Sequence, residues 1–305
     1  VLPEFLRILI ASFHWDNQVF SFINTGAVFE SLTCYDIQKK MRLPIPSKTI
    51  QKRIFEIMNP IESNIQIQAP ILDGVQAIAS ALFRSWFIDF EPVKAKAEGK
   101  LPYGMDEETA ALFPDSFEDS IIGPIPVGWR LGSLKDIQFI KGKVPKTNSD
   151  YSKIPLVNME YIKTEKLTMI DSERAVIIDS GDIIMLMDGE NSGFVTQSPI
   201  DGALGSTFAH LKVDNTEKNF VYHLLLNNEY WIRRNTTGTG IPHVDKEIVR
   251  RIKFAIPPSE ILNIFSEFTQ NSFDLLQILR NKKASMSRMK DGLFPRLMSG
   301  KLEVN

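Results

Sequence analysis

A lysine-rich loop is the first candidate for chemistry in this chain. Lys141, Lys143 and Lys146 lie close together, with Gly142 between the first two, and Thr147 follows them. Ammonium and hydroxyl groups on a loop containing glycine and proline are suited to follow a nucleic-acid phosphate backbone. We therefore expect these four side chains to contact phosphate, although a solvated lysine loop explains the pattern equally well.

A second polar stretch follows a predicted helix. Arg233, Arg234 and Asn235 are succeeded by Thr237 and Thr239, with glycines after both threonines. Cations and hydroxyls suit phosphates, while Arg and Asn also pair with guanine and adenine edges. These five residues are candidate DNA contacts, and the alternative is an ordinary helix C-terminus with a glycine exit.

Four more polar residues lie in turns or beside proline: Ser192, Ser206, Thr207 and His243. Small residues nearby let a backbone approach a ligand closely. A plain hairpin turn is the simpler interpretation for the stretch around Ser192, and His243 is more typical of a structural hydrogen-bonding group than of a base reader. All four are kept as candidate DNA contacts.

Patterns typical of enzymes are not matched. Cys34 is the single cysteine, and no Cys/His group among four histidines has zinc-site spacing. Residues 98–100 have the Glu-x-Lys form of some nucleases, but they lie in a charged linker, and Ser192 is not in the third position of a Gly-x-Ser-x-Gly turn. We expect no catalytic residue, no metal and no cofactor.

Composition narrows the class of protein. The 305 residues, 43% of them hydrophobic, suggest about two domains, and a net charge of −2 argues against a protein that binds polyanions over its whole surface. Charged residues interrupt every apolar run well before the ~18 residues of a membrane span. We expect a cytoplasmic protein without a membrane segment, whose DNA binding depends on local clusters.

The chain contains an internal repeat with an offset of roughly 211 residues. Residues 25–46 and 237–257 both begin with Thr-Gly and end with Ile-Pro, and each is followed by apolar residues at helical spacing. An aromatic and basic tail closes each copy. The repeat predicts two long helices, each preceded by the end of a domain.

Between the predicted helices the residue pattern of the sequence changes twice. Residues 91–124 are charged and punctuated by Pro and Gly, which predicts an exposed connector. Four short β-type runs then follow Trp129 and predict a strand-rich domain: 154–157, 175–178, 183–187 and 208–213. A helix over 220–233 should bury one face containing Val221, Leu224, Leu225 and Trp231.

Four segments resemble conserved regions of type I restriction-modification specificity subunits. They are residues 81–93 (ALFRSWFIDFEPV), 101–105 (LPYGM), 125–129 (IPVGW) and 239–243 (TGIPH). The resemblance implies two target-recognition domains that each read half of a split DNA site, held apart by two long antiparallel helices. It also implies a non-catalytic protein that binds double-stranded DNA and assembles with modification and restriction subunits.

On this basis we expect a mixed α/β protein in five parts. These are residues 1–46, the end of a first recognition domain; 47–90, a spacer helix; 91–124, a linker; 125–257, a second recognition domain; and 258–305, a second spacer helix. A helix over 47–90 would extend on the order of 65 Å, longer than one duplex turn of about 34 Å. Pro60 and Pro70 place its straightness in doubt.

An alternative follows because residues 1–46 are expected to form only the end of a first recognition domain. The chain would then be a scaffold that binds modification subunits without reading DNA alone. In a variant of this hypothesis, two copies pair and each supplies one complete recognition domain.

Overall fold

The computed structural model describes residues 1–22, 33–144, 153–238 and 240–299. The chain divides into two compact units: unit 1 comprises residues 1–74 and 275–305, and unit 2 comprises residues 75–274. Both boundaries lie inside long helices, so each unit contains part of each of them.

The helices are α1 (Pro3–Ile10), α2 (Phe13–Phe22), α3 (Lys48–Phe87), α4 (Glu91–Ala97), α5 (Glu107–Ala111), α6 (Met159–Thr164), α7 (Asn215–Arg234), α8 (Lys246–Arg250) and α9 (Ser259–Met298), and a π-helical turn covers Asp36–Lys40. The strands are β1 (Phe117–Glu118), β2 (Ile125–Pro126), β3 (Arg130–Ser133), β4 (Gln138–Lys141), β5 (Lys153–Val157), β6 (Met169–Asp171), β7 (Ile177–Ile178), β8 (Ile183–Leu186), β9 (Val195–Gln197), β10 (Gly202–Leu204), β11 (Phe208–Lys212) and β12 (Lys253–Ile256). The predicted mixed α/β class is confirmed.

Unit 2 contains all of these strands. Two four-stranded sheets have the orders β6-β5-β10-β7 and β4-β11-β8-β9, and two smaller sheets pair β1 with β2 and β3 with β12. Only β5 and β10 pair in parallel among these strands; the other pairs are antiparallel. All four predicted β-type runs contain or overlap a strand.

Strand β8 is buried on both faces. Ile183 and Met185 belong to the large core cluster of unit 2, whereas Ile184 and Leu186 belong to a second cluster with Phe208. Successive side chains of a strand point to opposite faces. A strand between two cores therefore needs the continuous apolar run that the sequence has here.

The end of α3 lies in the large core of unit 2. The ring of Phe83 is 5.4 Å from that of Phe220 and 5.8 Å from that of Phe265, and Phe87 lies 5.0 Å from Phe265. These contacts join α3 to α7 and α9 and explain the aromatic tail noted in the sequence.

In unit 1, α3 and α9 pack against each other in antiparallel directions. Lys290 Nζ lies 3.1 Å from Glu62 Oε2, and Gln68 Nε2 donates to Met286 Sδ at 3.6 Å. The contact partner on α9 thus moves backwards along the chain as the position on α3 moves forwards. Residues of α1 complete an apolar cluster with both helices: Phe5, Ile8, Leu9, Ile54, Met58, Phe294 and Leu297.

The two long helices reproduce the offset of the repeat. Each has 40 residues, and α9 begins at 259 against 48 for α3 and ends at 298 against 87. Pro60 and Pro70 lie inside α3 without ending it. Asn64 Nδ2 donates to the carbonyl oxygen of Pro60 at 2.8 Å, one turn below.

Two expectations are wrong in detail. The connector 91–124 is not exposed throughout, because it contains α4 and α5 and buries Val93 and Phe113, the latter against the ring of Trp86 at 5.3 Å. Trp231 is 45% exposed, because the neighbouring Ile232 takes the buried face of α7.

Within the described ranges, no single helix is long and apolar enough to cross a membrane. Only α3 and α4, taken together as a pair bent by 46°, meet the length and composition of a span.

Candidate nucleic-acid interface

Two of the predicted polar segments lie side by side in unit 2. Lys141 ends β4 and pairs with Ala209 of β11, and the amide of Gly142 donates to the carbonyl of Phe208 at 2.8 Å. A Cβ at Gly142 would overlap the carbonyl oxygen of Gly205. Glycine therefore allows residues 141–143 to lie directly against residues 205–207.

This contact brings together side chains that the sequence presented as separate candidates. Lys141, Lys143, Ser206 and Thr207 are all exposed on these two adjoining segments. The two adjoining segments therefore place two cations and two hydroxyls close together, which is a combination suited to phosphate oxygens.

Backbone hydrogen bonds attach the segment 237–244 to the same region. The amide of Met187 donates to Thr207 O at 2.8 Å, and the amide of Val244 donates to Met187 O at 2.9 Å. Thr237 and His243 exchange two backbone hydrogen bonds of 2.8 and 2.7 Å. The exposed side chains of Thr237 and His243 are thereby placed near the end of β8.

Asp188 connects two of these elements through its carboxylate. Lys141 Nζ lies 2.9 Å from Asp188 Oδ2, and His243 Nδ1 lies 2.6 Å from Asp188 Oδ1. Partial burial by itself raises the pKa of this carboxyl, but the hydrogen bonds from Lys141 and His243 together outweigh it and hold the pKa below its usual value. Asp188 is therefore ionised at neutral pH.

The C-terminal end of α7 is held to the turn after β8. Arg233 Nη2 donates to Asn191 Oδ1 at 3.0 Å, and its Nη1 lies 3.4 Å from Glu229 Oε1. Gly193 has a φ of +93°, and a Cβ there would lie 2.8 Å from Cγ of Arg233. Only glycine lets the turn approach the arginine so closely.

The next two residues complete the helix end. Arg234 lies over the ring of Tyr230 at 5.5 Å and donates to its hydroxyl at 2.8 Å, and Asn235 Nδ2 donates to Trp231 O at 2.8 Å. Asn235 thus caps a carbonyl of α7, as the ordinary helix-terminus interpretation requires. Its exposed side chain nevertheless lies beside the two arginines.

We define the recognition surface as the exposed candidates that these contacts gather in unit 2. They are Lys141, Lys143, Ser206, Thr207, Arg233, Arg234, Asn235, Thr237 and His243. Ser192 lies below this surface with 2% of its area exposed, so we leave its side chain out. Lys146, Thr147 and Thr239 are outside the described residues.

Two further cations border the surface and were not singled out in the sequence. Lys246 and Arg250 on α8 both lie 5.6 Å from the ring centre of Phe139. Phe139 precedes Lys141 by two residues on β4, and residues two apart share a strand face. The sequence feature that could have identified them is a pair of basic residues four positions apart, directly after the segment that contains His243.

The surface combines cations, hydroxyls, an amide and an imidazole on a strand-rich module. Within the described ranges, no group of three or more His, Cys, Asp or Glu residues has the geometry to hold a metal ion. Fold and surface together are typical of one class, namely modules that bind an anionic, hydrogen-bonding polymer through side chains from several loops.

Comparison with known families identifies the chain. Residues 126–284 match the model of the type I restriction modification DNA specificity domain, which covers more than half of the sequence. The chain belongs to this family.

The individual proteins that this chain resembles are described as specificity subunits. The HindI specificity subunit of Haemophilus influenzae is 26% identical over 368 aligned residues, covering 99% of this chain and 78% of the relative. The MjaIX specificity subunit of Methanocaldococcus jannaschii is 25% identical over 311 residues, covering 92% of this chain and 65% of the relative. The crystal structure of a type I restriction-modification S subunit from M. genitalium superposes with a TM-score of 0.58 at 14% identity, over 97% of this chain and 72% of that one, which supports the fold.

Proposed function

We propose that this chain is the DNA-reading component of a type I restriction-modification complex in the cytoplasm, and that modification and restriction subunits supply the chemistry. Residues 125–257 would form its complete recognition domain, and α3 and α9 its spacer helices. The observation that carries the proposal is the recognition surface, where residues distant in sequence converge.

The chemistry of the surface suits both parts of DNA recognition. Lys141, Lys143 and Arg234 are exposed cations that can position a phosphate backbone without reading sequence. Arg233, Asn235 and His243 carry planar groups that can pair with base edges in a major groove. Both kinds of group on one surface are what a sequence-reading module requires.

Selection from a random duplex pool tests this proposal directly. The full chain, alone and with the modification subunit encoded beside it, should enrich a short defined sequence. If the complex assembles but enriches no sequence, the chain does not read DNA and the scaffold hypothesis is favoured.

Lysine substitutions then test the surface itself. Replacing Lys141 and Lys143 with alanine should weaken binding to all duplexes and reduce the salt dependence of binding by about one unit of slope for each lost phosphate contact. The measurement is a titration of a labelled duplex at several salt concentrations. The matched control replaces Lys94 and Lys100, two exposed lysines outside the surface, and should leave the slope unchanged. Equal slopes for the two variants would remove residues 141–143 from the interface.

A second candidate function is supported by unit 1. Its helices expose large apolar side chains: Ile50, Ile57, Ile67 and Ile71 on α3, and Leu275, Ile278 and Met289 on α9. Positions 50, 57 and 71 differ by multiples of seven, the spacing that meets a partner helix. We propose that this face binds helices of modification subunits, or of a second copy of this chain.

Light scattering distinguishes these occupants. A monomer that forms a complex with modification subunits supports the first, and a dimer of the isolated chain supports the second. A chain that remains monomeric and binds no modification subunit contradicts both.

A further inference from the structure

Asp188 is the one carboxylate in direct contact with two members of the recognition surface within the described residues. An acidic group there is unexpected, because it repels the phosphates that the neighbouring cations attract. Its two oxygens are both engaged, one by Lys141 at 2.9 Å and the other by His243 at 2.6 Å. These side chains come from β4 and from the segment after α7, which are about 100 residues apart in the chain.

The backbone around Asp188 is held as firmly as its side chain. Asp188 and His243 form an antiparallel β-bridge, and the amide of Gly189 donates to Pro242 O at 3.0 Å. The carboxylate therefore stands at a fixed point relative to both partners. Side chains held by such contacts keep the geometry that selective binding needs.

The contact also determines what His243 offers to a ligand. An ionised carboxylate only accepts hydrogen bonds, so His243 Nδ1 carries a proton and donates to it. The other ring nitrogen, Nε2, belongs to a side chain that is 51% exposed. Nε2 is therefore the ring nitrogen left to form a hydrogen bond with a base edge in a major groove.

We propose that Asp188 is a specificity-determining positioning residue, which holds Lys141 toward a phosphate and His243 toward a base edge without contacting DNA itself. The inference rests on the proposed function of the recognition surface and assigns Asp188 a role in selectivity. Removing the carboxylate then has two opposite effects. General affinity for DNA rises or is unchanged because a negative charge is lost, while selectivity falls because two contacts lose their geometry.

The chain offers a matched control in Asp182. This residue also lies between a histidine and a lysine of unit 2, with His210 Nε2 at 3.6 Å and Lys218 Nζ at 3.9 Å. Neither partner belongs to the recognition surface. Asp182→Asn removes the same charge from the same unit and should leave selectivity unchanged.

The experiment measures the affinity of the full chain for two labelled duplexes of equal length, the one selected from the random pool and one with the same bases shuffled. We expect Asp188→Asn to weaken binding of the selected duplex about tenfold, which corresponds to about 1.4 kcal/mol, without weakening the shuffled one. In a His243→Ala and Lys141→Ala background, the same substitution should no longer change selectivity. Thermal unfolding of each variant shows whether the fold is retained.

If Asp188→Asn does not fold, the coupling of His243→Ala and Lys141→Ala supplies the test. The two substitutions should be non-additive in binding the selected duplex, since one carboxylate positions both side chains. Additive effects overturn the proposal, as does an equal change by Asp188→Asn on both duplexes. A wild-type chain that enriches no sequence overturns the proposed function as well, which separates the two failures.

Discussion

The repeat places the same helical positions in two different surroundings. Ile54 and Phe294 lie in the apolar cluster of unit 1, and their counterparts 211 residues away, Phe265 and Phe83, lie in the core of unit 2. All four side chains are almost fully buried. In unit 2 they are covered by a strand-rich module and by α7, whereas in unit 1 the cover comes from α1. The helix pair thus requires a cover at each of these positions but does not specify which element provides it.

A second difference concerns the segments that precede the helices. Residues 253–256 form β12 and pair with β3, but the equivalent residues 42–45 form no strand within the described ranges. A strand is stable only where a neighbour satisfies its amides and carbonyls. The described part of residues 1–46 offers no such neighbour, so a similar sequence remains irregular.

The largest expected effect comes from truncating the equivalent phenylalanines. Phe83→Ala should destabilise unit 2 by about 4 kcal/mol, because it leaves a cavity and removes ring contacts to Phe87, Phe220, His223 and Phe265. Phe294→Ala should cost about 3 kcal/mol in the smaller cluster of unit 1. Urea denaturation followed by circular dichroism measures both. A larger loss for Phe294→Ala would contradict the comparison.

A smaller effect should depend on pH and arise in unit 2. Burial lowers the pKa of His223 to about 4. Since the unfolded chain binds this proton near pH 6.5 and the folded chain only near pH 4, His223 lowers stability as pH falls between these values, by roughly 3 kcal/mol in total. Unfolding free energies from pH 4 to 7 should show a flatter profile for His223→Phe.

The control is His210, which is half-buried beside Asp182. His210→Asn should keep most of the slope of the wild type. If instead this variant flattens the profile and His223→Phe does not, burial of His223 is not the cause.

The smallest expected effect concerns two positions of the repeat that have different residue types in unit 1 and in unit 2. Glu62 and Lys290 form an ion pair with side chains 10% and 19% exposed, while their counterparts Phe273 and Ala79 are buried and apolar. Glu62→Gln should cost about 2 kcal/mol, since Lys290 loses its partner in a partly dry site. The double variant Glu62→Phe and Lys290→Ala, which copies unit 2, should recover most of that loss in the same urea measurement. No recovery would mean that the two surroundings differ more than the repeat suggests.

Much of the fold could be predicted because it follows from local pattern. The equal helices were visible as spaced apolar residues, and β8 as a continuous apolar run. Trp231 and Phe113 were misjudged for a tertiary reason: each position depends on which neighbouring element covers it. That information is absent from the periodicity of the segment itself.

The candidate site was only partly predictable for a related reason. Lys141 and Thr207 could be proposed separately from their types and neighbouring glycines, but the adjacency of their two segments depends on the close approach of Gly142 and Gly205. The sequence did not identify Asp188 as a site residue, because the role of a lone acidic residue in a turn depends on partners about 50 residues away. Ser192 has a suitable residue type, but its side chain is buried.

The equal length of α3 and α9 restricts how this chain can change in evolution. Each inserted residue lengthens a helix by about 1.5 Å and turns everything beyond it by about 100°. An insertion in one helix alone would therefore bring polar residues opposite the apolar positions of the other. Within unit 1, the pairing of α3 with α9 should therefore tolerate a change in length only where both helices change together.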